Sequence, residues 1–535
     1  MKCSLKCLLT ALIATPLIAA AGDKPNILFI FSDDHALNAI SAYGGRLEKV
    51  APTPHIDRLA NEGALFHNSF CTNSICGPSR ASILTGKHSH KNGFLRNTGR
   101  GLDQSQWTLS KALKEIGYQT VLIGKWHLIN KPIGFDHWEI LPGQGRYYNP
   151  EFVQMDGTTK QFTGYVTDIT TDKALKWLDS RDKSKPFFLM CQHKAPHRTF
   201  SPAFRHLKAF EGVQIPEPET LFDDYANRST TLAKNEMEID RHFYWDYDLK
   251  IRKEEQGDVK LPTNPNMYPL SISIPEYQRM NPEQKAKWDA HFGPLNQKFL
   301  ADVKAGKLSH QDIVRWKYQR YMRNYLGTVK AVDESVGRLL KYLDDNDLKK
   351  NTIVIYSSDQ GFFLGEHGWY DKRWMFEESF KMPFVIRWPG VIKPGSKPSA
   401  LIQNIDYAPT FMDIAGSSSP AEVQGLSILP ILKGEKAKVR DAVYYGYYER
   451  GEHNVPQHFG VRTQRFKLIH FPGEDEWNMF DLEKDPQELV NVYGHQDYVA
   501  HQKSMHEEYQ RLRKHYDAPE YHTHMPNLKK KSQSP

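Results

Sequence analysis

One stretch of the chain stands out for its chemistry: Cys76-Gly77-Pro78-Ser79-Arg80-Ala81-Ser82-Ile83-Leu84-Thr85-Gly86. Pro78 suits the first turn of a helix and Gly86 its exit. Cys76 then stands at a helix N-terminus, where unpaired amides and the helix dipole favour an anion. Arg80, four residues on, shares that face. A cysteine and a proline alone would equally fit a buried cysteine before an ordinary helix; the full run shifts the balance. Four polar clusters elsewhere each follow a short apolar run: Ser32-Asp33-Asp34, Gly124-Lys125-Trp126-His127, Gln192-His193 with His197, and Ser357-Ser358-Asp359-Gln360-Gly361.

The elements that must position these groups follow from the apolar runs at 26–31, 120–123, 186–190 and 352–356. Continuous apolar runs flanked by helical stretches read as buried parallel strands. Helices are expected at 109–116, 166–178 and 320–343. The alternation predicts an α/β sheet with helices on both faces. Ligands of such sheets bind beyond the carboxyl ends of the strands, so all four clusters should meet at one edge. On a strand, Lys125 and His127 would point to the same face. Residues 205–310 break the pattern and are expected to form an insertion over the sheet edge. Its tract Tyr244-Trp245-Asp246-Tyr247 is read as packing rather than as a pocket wall. A helix at 407–414 closes the main unit. Beyond Gly416, short strands at 442–448, 458–463, 466–471 and 477–481 read as a small antiparallel sheet, followed by a helix near 502–515.

The 535 residues, 39% hydrophobic and 25% charged, belong to a folded chain rather than a disordered or membrane one. Residues 1–21 read as an export leader: Lys2 and Lys6, an apolar stretch to Ala20, and Ala19 and Ala21 before the cleavage point. The formal charge of +7 falls to +5 once Lys2 and Lys6 leave, a surplus carried by an ordinary solvated surface. The basic run 529–531 lies in a polar tail and is not read as a nucleic-acid patch. Only Cys71, Cys76 and Cys191 remain after cleavage, which excludes a disulfide framework; pairing of Cys71 with Cys76 is the plain reading.

Cys-x-Pro-Ser-Arg followed by Leu-Thr-Gly resembles the signature of the type I, formylglycine-dependent sulfatases, and the resemblance spans roughly residues 24–495. It implies an alkaline-phosphatase-like mixed sheet sandwiched by helices, with a smaller C-terminal antiparallel subdomain. It implies that Cys76 becomes formylglycine, whose hydrate is the nucleophile, through a formylglycine-generating maturation enzyme. Asp33, Asp34, Asp359 and Gln360 match the family's metal ligands, joined by residue 76. Many relatives carry Asn or His where this chain has Gln360. Oxygen donors of this kind suit a hard cation, and one calcium is expected. Lys125 and His127 match the family's Lys-x-His. Lys372 matches its sulfate-binding lysine, with Arg373 and Lys381 as neighbours that could take that role. His197 matches the histidine near the leaving group, with His193 as rival.

The resemblance implies hydrolysis of a sulfate ester. Asp359 would take a proton from the nucleophile, and Arg80, Lys125 and Lys372 would neutralise the sulfate oxygens. His197 would protonate the leaving oxygen, and His127 would take the proton that releases sulfate. Within the family, the segments 192–198, 145–150 and 460–463 look most like bacterial carbohydrate sulfatases and N-acetylglucosamine-6-sulfatases. The expected substrate is a 6-O-sulfated N-acetylglucosamine in a glycan, with Arg146, Tyr147, Arg198 and His458 as candidate contacts. Three alternatives stand beside it: a sulfatase for another polysaccharide or for aryl esters, a phosphodiester or phosphonate hydrolase, and a non-catalytic glycan-binding relative. The expected organisation is a leader at 1–21, a catalytic unit at 22–435 and a C-terminal subdomain at 436–535. The product would be a periplasmic or secreted protein, with no membrane span and no nucleic-acid partner.

Overall fold

The computed structural model describes residues 24–262, 275–449 and 452–519. The expected leader and the basic run 529–531 lie outside the described residues. The first strands in chain order are β1 (Asn26–Asp33), β2 (Ala64–Leu65), β3 (Ser69–Phe70), β4 (Gln119–Lys125), β5 (His137–Leu141), β6 (Glu151–Val153) and β7 (Thr159–Gln161). They are followed by β8 (Phe187–Pro196), β9 (Thr352–Ser358), β10 (Phe363–Leu364), β11 (Tyr370–Asp371), β12 (Phe384–Arg387) and β13 (Ile402–Gln403). The last four are β14 (Val443–Tyr447), β15 (His458–Arg462), β16 (Phe466–Phe471) and β17 (Glu476–Asp481).

A nine-stranded mixed sheet has the order β2-β12-β9-β1-β8-β4-β5-β6-β7. Its centre is parallel: β1 pairs with β8 and β9, and β4 with β8 and β5. The edges turn antiparallel through β12 and β6. Because side chains alternate along a strand, β1 feeds two cores. Ile27, Phe29 and Phe31 join one cluster, while Leu28 and Ile30 join the other. Helices cover both faces, which is why the run has no polar alternation. The helix Leu109–Glu115 and the helix Tyr407–Ile414 lie on the first face. The second carries Val166–Ser180 and His310–Asp345. The last is longer than its periodicity predicts, because Ser309 and Asp312 form a capping box nearly three turns further out.

The insertion packs Phe243, Trp245 and Leu249 against Tyr318, Tyr321 and Tyr325 of that long helix and against Phe362 and Tyr370, just past β9. Its aromatic tract divides in two. Trp245 stacks on Phe299, with ring centres 5.7 Å apart. Tyr244 and Tyr247 instead flank the Arg198 guanidinium. The four-stranded antiparallel sheet β14-β15-β16-β17 forms the C-terminal unit, with the helix Val499–His515 against it. Cys71, Cys76 and Cys191 are all free and buried, so the local Cys71–Cys76 pair does not form. Among the described residues, no helix is long and apolar enough to cross a membrane.

Candidate active site

The four apolar runs end at one sheet edge because their strands are parallel, and their polar ends meet there. The helix Cys76–Thr85 enters this cluster and is buried along its whole length. Its N-cap, Ile75, offers no side-chain oxygen; the Gly77 amide instead donates to Asn97 Oδ1 at 2.9 Å. A Cβ at Gly77 would lie 2.6 Å from the Phe94 ring, so a larger residue there would have to displace that ring. Gly124 lets β4 close on β8: with φ at +108°, a Cβ would meet the Gln192 carbonyl at 1.9 Å.

Ligand-type atoms of Asp33, Asp34, Cys76 and His197 lie within 4.8 Å of one another. The Cys76 thiol stands where the oxidised, hydrated side chain that the sequence resemblance implies would be. Burial pushes that thiol well above its ordinary range, with Asp33 adding to the effect and Lys372 and Lys125 opposing it. As plain cysteine it is therefore protonated and a poor nucleophile. Arg80 sends Nε and Nη2 to Asp359 Oδ2, each at 3.1 Å. Its Nη1 donates to the Lys125 carbonyl at 2.9 Å and to Gln192 Oε1 at 2.7 Å. The Lys125 ammonium bonds Asp33 Oδ2, and also Gln144 Oε1 at 2.5 Å. Lys372 Nζ donates to Asp34 Oδ2 at 2.7 Å, and the Gln360 amide donates to the other Asp34 oxygen.

His197 Nδ1 donates to the Arg198 carbonyl at 2.7 Å, leaving Nε2 facing Asp34 Oδ2 at 3.6 Å. Burial and the Lys125 charge hold His197 well below the ordinary imidazole range. The same two causes act on His127, whose buried Nδ1 has no hydrogen-bond partner. Burial raises all three carboxylates, and the neighbours decide the outcome. Lys125, His197 and Arg80 overcome it at Asp33, which stays well below the usual range. Asp34 is pushed up to about 6, with Lys372 only partly compensating. Asp359 is pushed up to about 8, because the Asp33 charge adds to burial. A cation would relieve this crowding. Two buried oxygens, Asp33 Oδ1 and Gln360 Oε1, have no hydrogen-bond partner. With Asp34 and Asp359 they make an all-oxygen donor set that fits a hard cation and disfavours a soft one.

Asp33, Asp34, Lys125, His197, Asp359 and Gln360 thus converge, as their positions after apolar runs led one to expect, and Cys76, Arg80 and Lys372 join them. His127 lies alongside, but not as a strand residue: β4 stops at Lys125, and His127 has φ at +58°. The chain leaves the strand in a left-handed turn, so Lys125 and His127 do not share a strand face, and the expectation of a common face is corrected. The rivals are separated by their partners. His193 turns away to Ser335 Oγ at 2.9 Å. Lys381 pairs with Glu377 at 2.9 Å.

The candidate sugar contacts fare differently. Arg146 is exposed on the loop between β5 and β6. Arg198 forms two bonds to Asp248, at 2.6 and 2.5 Å, among the rings of Tyr244, Tyr247 and Tyr370. Tyr147 is buried, and its hydroxyl donates to the His197 carbonyl at 2.5 Å, so it supports His197 instead of meeting a sugar. His458 is wholly buried; it accepts the Met375 amide at 3.1 Å and stacks on Trp374. A sugar contact there is excluded: β15, a central strand of the C-terminal sheet, is buried at every position. Gln192, Gln144 and Lys194 escaped assignment from sequence. Gln192 stands in one of the four polar clusters, but that place gave it no role. Gln144 sits on an exposed loop with nothing to mark it. Lys194 is buried over the Tyr147 ring at 4.7 Å and donates to the Arg198 carbonyl at 3.2 Å.

Comparison with known proteins gives two family matches: the Sulfatase model over residues 25–417, and the model for the C-terminal part of N-sulphoglucosamine sulphohydrolase over residues 365–515. The chain is 48% identical over 490 residues to an N-acetylglucosamine-6-O-sulfatase of Bacteroides thetaiotaomicron, covering 90% of this chain and 85% of that protein. It is similar to a solved structure of a protein in complex with its substrate D-glucosamine-2-N,6-O-disulfate, with TM-score 0.86, 46% identity, and coverage of 93% and 99% of the two chains. The phosphonate monoester hydrolase of Agrobacterium radiobacter shares the fold at TM-score 0.65 and 21% identity, over 92% and 96% of the two chains.

Proposed function

The chain belongs to the sulfatase family and is thereby a sulfuric ester hydrolase, and from that premise we propose that it removes the 6-O-sulfate of N-acetylglucosamine at the end of a sulfated glycan. One observation carries the chemistry: Lys125, Lys372 and Arg80 close around the two aspartates and residue 76 at a buried strand edge. The sugar is supported by the 48% identity to a relative with that activity.

The three cations neutralise the non-bridging oxygens of the sulfate, in a buried pocket where each charge counts for more than in water. A glycan alcohol is a poor leaving group and needs a proton at the bridging oxygen. His197 would supply it from Nε2 as the imidazolium, a second proton that the negative charge of a bound sulfate favours, with Nδ1–H anchored on the Arg198 carbonyl and the main chain held by Tyr147. His127 accepts the proton whose loss releases sulfate, and Asp359 takes the first one. When Cys76 has been oxidised to formylglycine, its hydrate supplies the nucleophilic hydroxyl together with the second hydroxyl that a serine or cysteine lacks. Calcium held by Asp33, Asp34, Asp359 and Gln360 would supply charge stabilisation and acidify that hydroxyl. Arg146, exposed on its loop, and Arg198, with its guanidinium held by Asp248, are the candidate contacts for the rest of the sugar. Export to the periplasm or medium, and a maturation enzyme acting on Cys76, complete the proposal. So does a division into a catalytic unit at 22–435 and a C-terminal subdomain at 436–535.

The test is a panel of N-acetylglucosamine and galactose sulfates substituted at different oxygens, run with protein whose residue 76 has been identified by mass spectrometry. Preferential release from O6 of N-acetylglucosamine by formylglycine-bearing protein is expected. Preference for galactose or for O3 or O4 would overturn the substrate, and full activity with unmodified cysteine would overturn the nucleophile.

A further inference from the structure

Lys372 occupies an unusual length of backbone. Both of its neighbours are non-glycine residues at positive φ, Asp371 at +76° and Arg373 at +95°. Such conformations persist only where the surroundings over-determine them. Here the surroundings are the C-terminal sheet, which contacts the three residues after Lys372 from three adjacent strands. From β14, the Tyr445 hydroxyl donates to the Arg373 carbonyl at 2.6 Å. From β15, His458 Nε2 accepts the Met375 amide at 3.1 Å. From β16, Lys467 Nζ donates to the Met375 carbonyl at 2.7 Å. Between these contacts the Trp374 ring stacks on His458 and on Trp369, with centres 5.5 and 5.6 Å away.

The Tyr445 hydroxyl has a second partner. It accepts the Ser74 amide at 3.3 Å, two residues before Cys76. One oxygen therefore ties the segment that delivers residue 76 to the segment that delivers Lys372. His458 is set up for its part by its other nitrogen: Nδ1–H donates to the Pro456 carbonyl at 2.9 Å, which leaves Nε2 as an acceptor. All three side chains are wholly buried, so none can meet a glycan.

We propose that Tyr445, His458 and Lys467 are positioning residues through which the C-terminal sheet fixes Lys372 against residue 76. This rests on Lys372 binding the sulfate, as proposed above. The experiment is a double-mutant cycle on formylglycine-bearing protein, reading kcat and KM on 4-nitrophenyl sulfate alongside Tm. Tyr445→Phe should lower kcat/KM about tenfold, the scale of losing a buried hydrogen bond at a main-chain carbonyl, and shift Tm by no more than about 3 °C. In a Lys372→Ala background the same substitution should change kcat/KM less than about twofold, since what it positions is gone. His458→Gln, which keeps an acceptor, should retain activity that His458→Leu loses. An undiminished Tyr445→Phe effect without Lys372, or none with it, overturns the positioning role. Full activity of Lys372→Ala alone would overturn the sulfate-binding role of Lys372 instead.

Discussion

Arg80→Lys isolates what a guanidinium does that a single charge cannot. Arg80 is almost wholly buried and makes four hydrogen bonds: two to Asp359 Oδ2, one to the Lys125 carbonyl and one to Gln192 Oε1. Its plane also lies over the Phe31 ring at 5.0 Å. A lysine ammonium keeps the charge but is a point donor on a shorter stem, and it cannot serve acceptors on three different elements. At least two of the bonds are lost, each leaving a buried acceptor at a cost of about 1–3 kcal/mol, so the fold should lose roughly 2–6 kcal/mol. For 535 residues the unfolding entropy is roughly 1 kcal/mol per degree if the chain melts as one unit. The expected fall in Tm is therefore only about 2–6 °C. Catalysis should suffer far more. Lys125 and Asp359 both lose a fixed neighbour, and a missing donor at a developing oxyanion costs about 10²–10³ in kcat. Scanning calorimetry and kcat on 4-nitrophenyl sulfate, with conversion of Cys76 checked by mass spectrometry, read both quantities. A variant within fivefold of the parent would refute the reasoning, as would a loss of activity tracking a Tm drop beyond about 15 °C.

Calcium removal should abolish turnover and lower Tm by about 2–3 °C relative to protein with calcium at a hundred times its Kd, restored by calcium and not by zinc. Metal analysis that finds active protein free of calcium would remove that assignment. His197→Ala should cost about 100-fold on a glycan sulfate but less than about tenfold on an aryl sulfate, whose leaving group needs no proton; equal losses would show that His197 binds the sulfate instead. Burial lowers the His193 pKa to about 4, so below pH 6.5 the unfolded chain takes up a proton that the folded chain refuses. Stability should fall as pH drops from about 6.5 to 4, by up to about 1.4 kcal/mol per pH unit from this residue, and urea unfolding of His193→Gln should show a slope shallower by that amount.

The strands and the helix after Cys76 could be read along the chain because each is a local pattern, and the polar ends of four apolar runs marked the edge where a site would gather. An apolar run such as 26–31 must be a doubly covered strand, and parallel strands deliver their polar ends to one edge; the structure has both. The helix from Cys76 to Thr85 with its left-handed Gly86 cap follows from Pro78 and Gly86 in the same way. What the sequence could not decide were choices between near neighbours and the partners of buried groups. Lys372 rather than Lys381 reaches Asp34 across 338 residues of chain. His197 rather than His193 faces the aspartates only because His193 finds Ser335 on the long helix. His127 leaves its strand through a positive φ that period-two alternation cannot foresee. His458 read as a candidate sugar contact on a short strand, and became an acceptor for the loop behind Lys372 once the sheet had docked. Secondary structure is set by neighbours three or four residues away, whereas the direction of a buried polar side chain is set by whichever donor or acceptor packing brings within 3 Å. That partner is chosen only when distant segments of chain come together.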